Sequence, residues 1–404
     1  MSARRPPKLA LPEATPSPAV RATAASVART RPTIADVAAE AGVSKATVSR
    51  FFNHRERLLS PDIATRVEAA IAKLAYSPSP MAQALSHGRS RLIGLVVADI
   101  TNPFSVAVLR GAEKVCQEAG YLVMLFNLGN ERERERDAIA ALASYQVDGF
   151  ILNTQGQSEA LGKNPTDTDI LQGRPAVLVD RRHAALNADF VSLDNQSAMR
   201  AACDHLVEQG WRELLYITQP LEDVSSRQER ASAFSRCIKV HAQAVRGQLL
   251  ELGKAMKGAA DGAPDGTLDA AIRALRERAG ANGRGAIVAG NSVVTLRVAA
   301  AMARLGWRFG RELGFVGFDD PDWAPLIGPG LTMVSQPTDA IGQSAAQCLL
   351  ERLGGLHGPA RERLLPGRLV VRGSSAAATT RPATRSQKQL TPPEPPECAA
   401  PGGR

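Results

Sequence analysis

The chain is short of aromatic residues, at 4% of 404 positions, which excludes a core built on ring packing and leaves burial to aliphatic side chains. Cysteine is scarce as well. Cys116, Cys203, Cys237, Cys348 and Cys398 are odd in number and far apart, so neither a disulfide framework nor a CxxC metal site is expected. Six histidines are scattered without ligand spacing, and no GxSxG, P-loop or HExxH motif occurs; the usual marks of an enzyme are missing. Adjacent carboxylates at Asp319-Asp320 are weak grounds for a metal. No catalytic residue, metal or cofactor is therefore expected. No apolar run approaches the roughly 18 residues of a membrane helix, and the first thirty residues hold no apolar stretch before a cleavage site. The reading is a soluble protein of a reducing compartment with no membrane partner.

What is present is a basic excess, Lys+Arg 49 against Asp+Glu 40, with 44% hydrophobic residues, enough for a sizeable core in two to three domains. The excess is uneven. Residues 1–32 carry six basic and one acidic side chain, residues 33–91 eight and five, and residues 372–404 five and two. The long middle is slightly acidic. Basic ends on a near-neutral body point to a polyanion, foremost nucleic acid. Residues 1–32 and the Pro-, Ser- and Thr-rich stretch from 373 to 404 cannot bury enough apolar surface to offset their ordering entropy, so both are read as disordered extensions outside the fold.

Residues 33–77 read as a small all-α head. Ile34, Val37, Ala38 and Ala41 recur at helical spacing behind Thr33, a capping residue. Gly42 ends that helix, and Ser44 caps a second one running to about Phe52. Thr47 and Val48 face inward there, with Phe51 and Phe52 completing the packing. Lys45, Ala46, Ser49, Arg50 and Asn53 are left on the open side. Two short helices about a glycine turn form a helix-turn-helix, whose second helix fits the major groove. Short polar and basic side chains suit base edges and phosphates. Ser60-Pro61 opens a third helix ending near Leu74. In residues 78–91, Pro78 and Pro80 keep the chain extended before Met81–Leu85, a helical turn too short to stand alone in water. Ala82 allows close approach to a minor groove, and Leu85 is an apolar wedge for a base step.

From Leu92 short apolar runs alternate with helical stretches. Leu92–Ala98, Leu122–Phe126, Gly149–Asn153 and Ala176–Asp180 form one series; Leu214–Ile217, Gly285–Ala289 and Leu313–Phe318 form a second. The alternation predicts an α/β body, residues 92–372, of two doubly wound parallel-sheet lobes with a ligand cleft at their strand ends. The acidic-basic run from Glu131 reads as the solvated start of a helix, and residues 253–267 as a loose loop.

The order TIADVAAEAGVS, TVSR, Asn53, then Tyr76-x-Pro with Ala82 and Leu85, then GRSRLIGLVV, resembles the lactose/galactose-repressor (LacI/GalR) family of bacterial transcription regulators, from Thr33 to about Arg372. The resemblance implies a periplasmic-binding-protein-like body, Lys45 and Ala46 as base-discriminating residues, and Ser44, Thr47, Ser49, Arg50 and Asn53 on phosphates or neighbouring bases. Thr33 and Tyr76 fall within the matching DNA-contact motifs, and Leu85 would intercalate. For the cleft it implies Asn102, Phe104 and Ser105, the last standing where most relatives have a second aromatic. It further implies Asp180, Arg181, Ser226, Arg227, Arg230 as the clamping arginine, Asn291, Asp319 and Trp323. Ser292 stands where the family usually carries Asp. Guanidinium forks without that anion suit a carboxylate, so the expected effector is a sugar acid such as gluconate or a ketogluconate. The segments Val106–Arg110 and Val224–Arg230 likewise resemble sugar-acid-responsive members. A cytoplasmic, nucleoid-associated homodimer on a palindromic operator is expected, because one head alone reads too few bases. The ligand would shift the lobe angle and so control repression. The alternatives are an extracytoplasmic-type solute-binding protein or a sugar-processing enzyme on the same bilobal body.

Overall fold

The computed structural model describes residues 32–52, 59–77, 89–131, 133–154, 171–183, 186–222, 224–253, 266–280 and 284–376. They belong to two compact units divided in sequence between Gly88 and Arg89. Among the described residues no helix is long and apolar enough to cross a membrane.

The first unit is three helices, α1 (Ile34–Ala41), α2 (Lys45–Phe52) and α3 (Pro61–Leu74). Thr33 and Asp36 make a reciprocal capping box at α1, which satisfies two amide donors left open by the first turn. Gly42 closes the helix at φ 63°, a left-handed conformation that costs glycine little. The Arg66 guanidinium donates to the carbonyls of Ala41 and Gly42 at 2.5 and 3.1 Å and so ties α3 to that turn. Val37, Ala38, Ala41, Val48, Val67 and Ala70 form the buried core. Ser60 caps α3 with Pro61 at its first position, as the sequence predicts.

The second unit contains two six-stranded sheets. Their strands are β1 (Leu92–Val97), β2 (Leu122–Asn127), β3 (Gly149–Asn153), β4 (Ala176–Val179), β5 (Asp189–Leu193) and β6 (Glu213–Thr218). There follow β7 (Arg246–Glu251), β8 (Gly285–Ala289), β9 (Gly314–Phe318), β10 (Thr332–Ser335), β11 (Glu362–Leu365) and β12 (Arg368–Val370). The sheet orders are β11-β5-β4-β3-β1-β2 and β12-β10-β9-β8-β6-β7. All pairs are parallel except β10 with β12. Crossovers are made by α4 (Pro103–Glu118), α5 (Arg134–Ser144), α6 (Asn195–Glu208), α7 (Ser225–Val240), α8 (Gly266–Arg278), α9 (Ser292–Arg304) and α10 (Thr338–Leu353). Parallel strands covered by helices on both faces are uniformly apolar: β3, β8 and β9 are buried at every position.

Three features depart from the sequence reading. The lobes are not two consecutive series. The chain crosses after β5, returns after β10 so that α10 and β11 complete the first lobe, and crosses back into β12. Strand β5 is missed because DFVSL opens on Asp189, which looks like loop; its carboxylate is buried against Arg352 and Arg361 at 2.6 Å each. Strands β10, β11 and β12, of three or four residues, are too short to show a period, and β7 is charged at both ends and largely exposed. Secondly, the body runs past Arg372. Ser374 and Ser375 are buried; the Ser374 hydroxyl donates to the Phe315 carbonyl at 2.9 Å and accepts from the Thr332 amide at 2.7 Å. Small hydroxyl residues that look disordered in sequence thus complete the hydrogen bonding of the second lobe. Thirdly, the run from Glu131 is not wholly solvated, because Glu135 is buried and lies 3.9 Å from His183 Nε2.

Candidate functional site

On the head, Ser44 prepares the start of α2: its hydroxyl oxygen accepts from the Thr47 amide at 3.2 Å and lies 2.9 Å from the Thr47 hydroxyl. Lys45, Ala46 and Arg50 are exposed, as is Ser44, while Thr47 and Ser49 are half-buried and Val48 is buried. The helix therefore presents short and basic side chains on one face and anchors the other in the core. Thr33 is exposed, with its hydroxyl donating to Asp36. Tyr76 is committed to packing, its ring 5.7 Å from that of Phe52. Asn53, Ala82 and Leu85, with the helical turn 81–85, lie outside the described residues.

In the body, β4 and β9 hold equivalent places in their sheets, and each is followed by an aspartate with positive φ, Asp180 at 63° and Asp319 at 92°. Such a conformation in a non-glycine residue is uncommon and concentrates at ligand sites. Asp319 accepts from the Ser292 amide at 2.8 Å and from Gln336 Nε2 at 2.5 Å. Its neighbour Asp320 is taken up by Arg372 at 2.7 Å. Asn291 caps α9 through the Val294 amide and donates to Gln219 Oε1 at 2.7 Å.

The first turn of α7 brings the lobes together. The Ser226 hydroxyl donates to Asp180 at 3.3 Å, and the Ser225 hydroxyl accepts from the Arg182 amide at 2.8 Å. Arg182 reaches Glu229 at 3.4 Å and Glu362 at 2.7 Å. Arg230, buried, donates to Asn195 Oδ1 at 2.8 Å and to the Gly290 carbonyl at 2.7 Å, and stacks 4.5 Å over Phe318. Arg227 donates to Gln219 and to the Pro220 carbonyl. Arg181 donates to the Thr154 carbonyl at 3.0 Å and lies 3.6 Å from Asp180. Burial, followed by the nearby positive charge of Arg181, pushes the Arg227 guanidinium down to about 10. Among the described residues no carboxylate is within ion-pair reach of Arg227 or Arg230. Arg181 and Arg227 thus lie by the Asp180 carboxylate, while Arg230 is held by neutral partners.

The remaining expected residues are placed less openly. Asn102 caps α4 through the Phe104 amide at 3.1 Å. Phe104 is built into the first-lobe core with Val108 and Ile341 and does not stand free as a stacking surface. Ser105 is buried, and Trp323 is half-buried against the second-lobe core. Sequence reasoning misses Asn195, Gln219 and Glu229, which orient the arginines. Gln219 was accessible from the rule that ligand groups follow strand ends, since it follows β6; nothing local marks Asn195.

A helix-turn-helix head and a bilobal sensing body define a DNA-binding regulator that answers a small molecule. The model of bacterial regulatory proteins of the lacI family matches residues 33–79, and that of the periplasmic binding protein-like domain matches residues 203–375. The chain is 43% identical over 350 residues to the HTH-type transcriptional regulator PtxS of Pseudomonas plecoglossicida, covering 87% of this chain and 97% of that protein. To the HTH-type transcriptional regulator KdgR of Bacillus subtilis it is 36% identical over 342 residues, 85% of this chain and 97% of that one. The structure of the lac repressor dimer bound to operator and the anti-inducer ONPF shares the fold, with TM-score 0.71 at 24% identity over 86% of this chain and all of that one. The chain belongs to the lacI family of bacterial regulatory proteins. It is a transcriptional regulator with a sugar-binding type of body, and its relatives are regulators rather than enzymes.

Proposed function

We propose that the protein is a cytoplasmic repressor of sugar-acid catabolism genes that binds a palindromic operator as a homodimer and releases it when a sugar acid, such as gluconate or a ketogluconate, occupies the inter-lobe cleft. The observation that carries the choice of an acid is that Arg181 and Arg227 lie by Asp180 while Arg227 and Arg230 hold only neutral hydrogen-bond partners. Arg227, whose charging is already disfavoured by burial and by Arg181, gains more from an anion than from a neutral hydroxyl. Ser292, buried at the start of α9, adds no negative charge that would repel a carboxylate. Asn291, Asp319 and Trp323 then supply a donor, an acceptor and an apolar cover for the carbon chain. On the head, Lys45 and Ala46 read base edges while Ser44, Thr47, Ser49 and Arg50 hold phosphates or adjoining bases.

Effector binding exchanges the Asp180–Ser226 and Arg182–Glu229 contacts for contacts to the ligand, so it alters the relative stability of two lobe arrangements. Calorimetry of the full chain against gluconate, 2-ketogluconate and neutral hexoses tests the reading, paired with titration of a palindromic duplex at fixed salt. Binding of the acids, with release of the duplex, is expected. Binding of the neutral hexoses alone overturns it.

A further inference from the structure

Helices α6 and α7 present the cleft residues Asn195, Arg227 and Arg230 from their first two turns, and towards their opposite ends they hold a second cluster that the cleft does not use. Cys237 and His241 are four residues apart at the end of α7, a spacing that puts both side chains on one face. Asp204 meets them from α6, with one carboxylate oxygen 3.1 Å from His241 Nε2. The Cys237 sulfur, an Asp204 oxygen and a His241 nitrogen all lie within 4.8 Å of one another. Cys237 is buried, whereas Asp204 and His241 are partly open to solvent, so an ion can enter from outside and rest on the inner sulfur. Cys203 is likewise buried.

We propose that Asp204, Cys237 and His241 form a binding site for a zinc-like divalent cation on the second lobe. One sulfur, one nitrogen and one carboxylate oxygen make a borderline-soft ligand set that suits zinc and is wrong for magnesium or calcium, which take oxygen ligands. Bonds of about 2.0–2.3 Å in a tetrahedron place ligand atoms roughly 3.3–3.8 Å apart, so the present spacing closes by side-chain rotation, and the fourth position falls to water. Two helices pinned in this way hold their first two turns, and hence the arginines, in fixed relation. The His–Asp hydrogen bond already made without an ion is the competing local arrangement, and the cation must displace it.

Cobalt(II) is the probe, because a cobalt–thiolate bond gives a charge-transfer band in the near ultraviolet. The full chain should bind one equivalent with that band, and zinc should remove it by competition. Cys237→Ser should abolish the band, and Asp204→Asn and His241→Asn should each weaken the affinity by about tenfold or more. Cys398→Ser and Cys116→Ser should leave it intact. Because Cys237 is buried, a poorly folded C237S is uninformative by itself; the partly exposed H241N decides, with operator binding as its folding control. Absence of the band in the native chain, an unchanged affinity in folded H241N, or loss of the band in C398S overturns the proposal.

Discussion

At the residue scale the cleft depends on groups that are buried and multiply bonded, where truncation leaves partners unsatisfied. Arg230→Ala removes a guanidinium that joins Asn195, the Gly290 carbonyl and the Phe318 ring. A lost charge-assisted bond of about 2 kcal/mol weakens acid binding by roughly thirtyfold, which calorimetry on the folded variant should show while neutral sugars change little. On the head, Lys45→Ala should cost about 1–3 kcal/mol on the cognate operator with a smaller effect on random duplex, read by competition binding at fixed salt. The exposure of Lys45 and Ala46 was legible because caps and helical period assign their face. Asn195 was not, since it acts on a side chain 35 positions away.

At the element scale, α4 and α10 approach so closely that glycines are required at the crossing. A Cβ on Gly342 would be driven into the Val108 carbonyl, and one on Gly111 into the Asp339 carbonyl. Gly342→Ala should therefore destabilise the body by about 1–3 kcal/mol, seen as a lower melting temperature. Strand β5 supplies a pH-dependent test. Burial alone would raise the Asp189 carboxyl, but hydrogen bonds and charge from Arg352 and Arg361 hold it well below the usual carboxylate range. With the folded value below the unfolded one, its contribution is present above about pH 4 and is lost as the pH falls further. Among the described residues, Asp189→Asn removes the only carboxylate paired with Arg352 and leaves Arg361 with Glu351 alone. It should cost about 3 kcal/mol near neutrality and flatten the acid limb of the stability curve in denaturant titrations. The element itself escaped the sequence pattern because a strand that begins on a buried charge has no apolar signature until its partners, more than 160 residues later, are in place.

At the scale of the whole molecule, the three crossings between lobes converge where β5, β10 and β12 meet. Asp194 donates its amide to the Leu365 carbonyl at 2.8 Å, and a Cβ on Gly367 would crowd Leu193 and Val334. Hinges in bilobal proteins are commonly built from a few chain segments of this kind. Charge is also distributed at this scale. Residues 1–31 carry six basic side chains against one acidic, so deleting them should lower affinity for random duplex at low salt and make the salt dependence shallower. The ratio of operator to random binding should stay nearly constant, and filter binding across a salt series checks both.

The amino-acid sequence by itself determined the helix caps and turn of the head, the strand pattern of the body and the family, because these reside in neighbouring residues and short periodicities. Only the tertiary structure decided which arginines gather around Asp180, that Phe104 belongs to the core, and that Ser374 and Ser375 complete a lobe. Those outcomes depend on contacts between segments tens to hundreds of positions apart, whose free energy appears only when solvent is excluded between them.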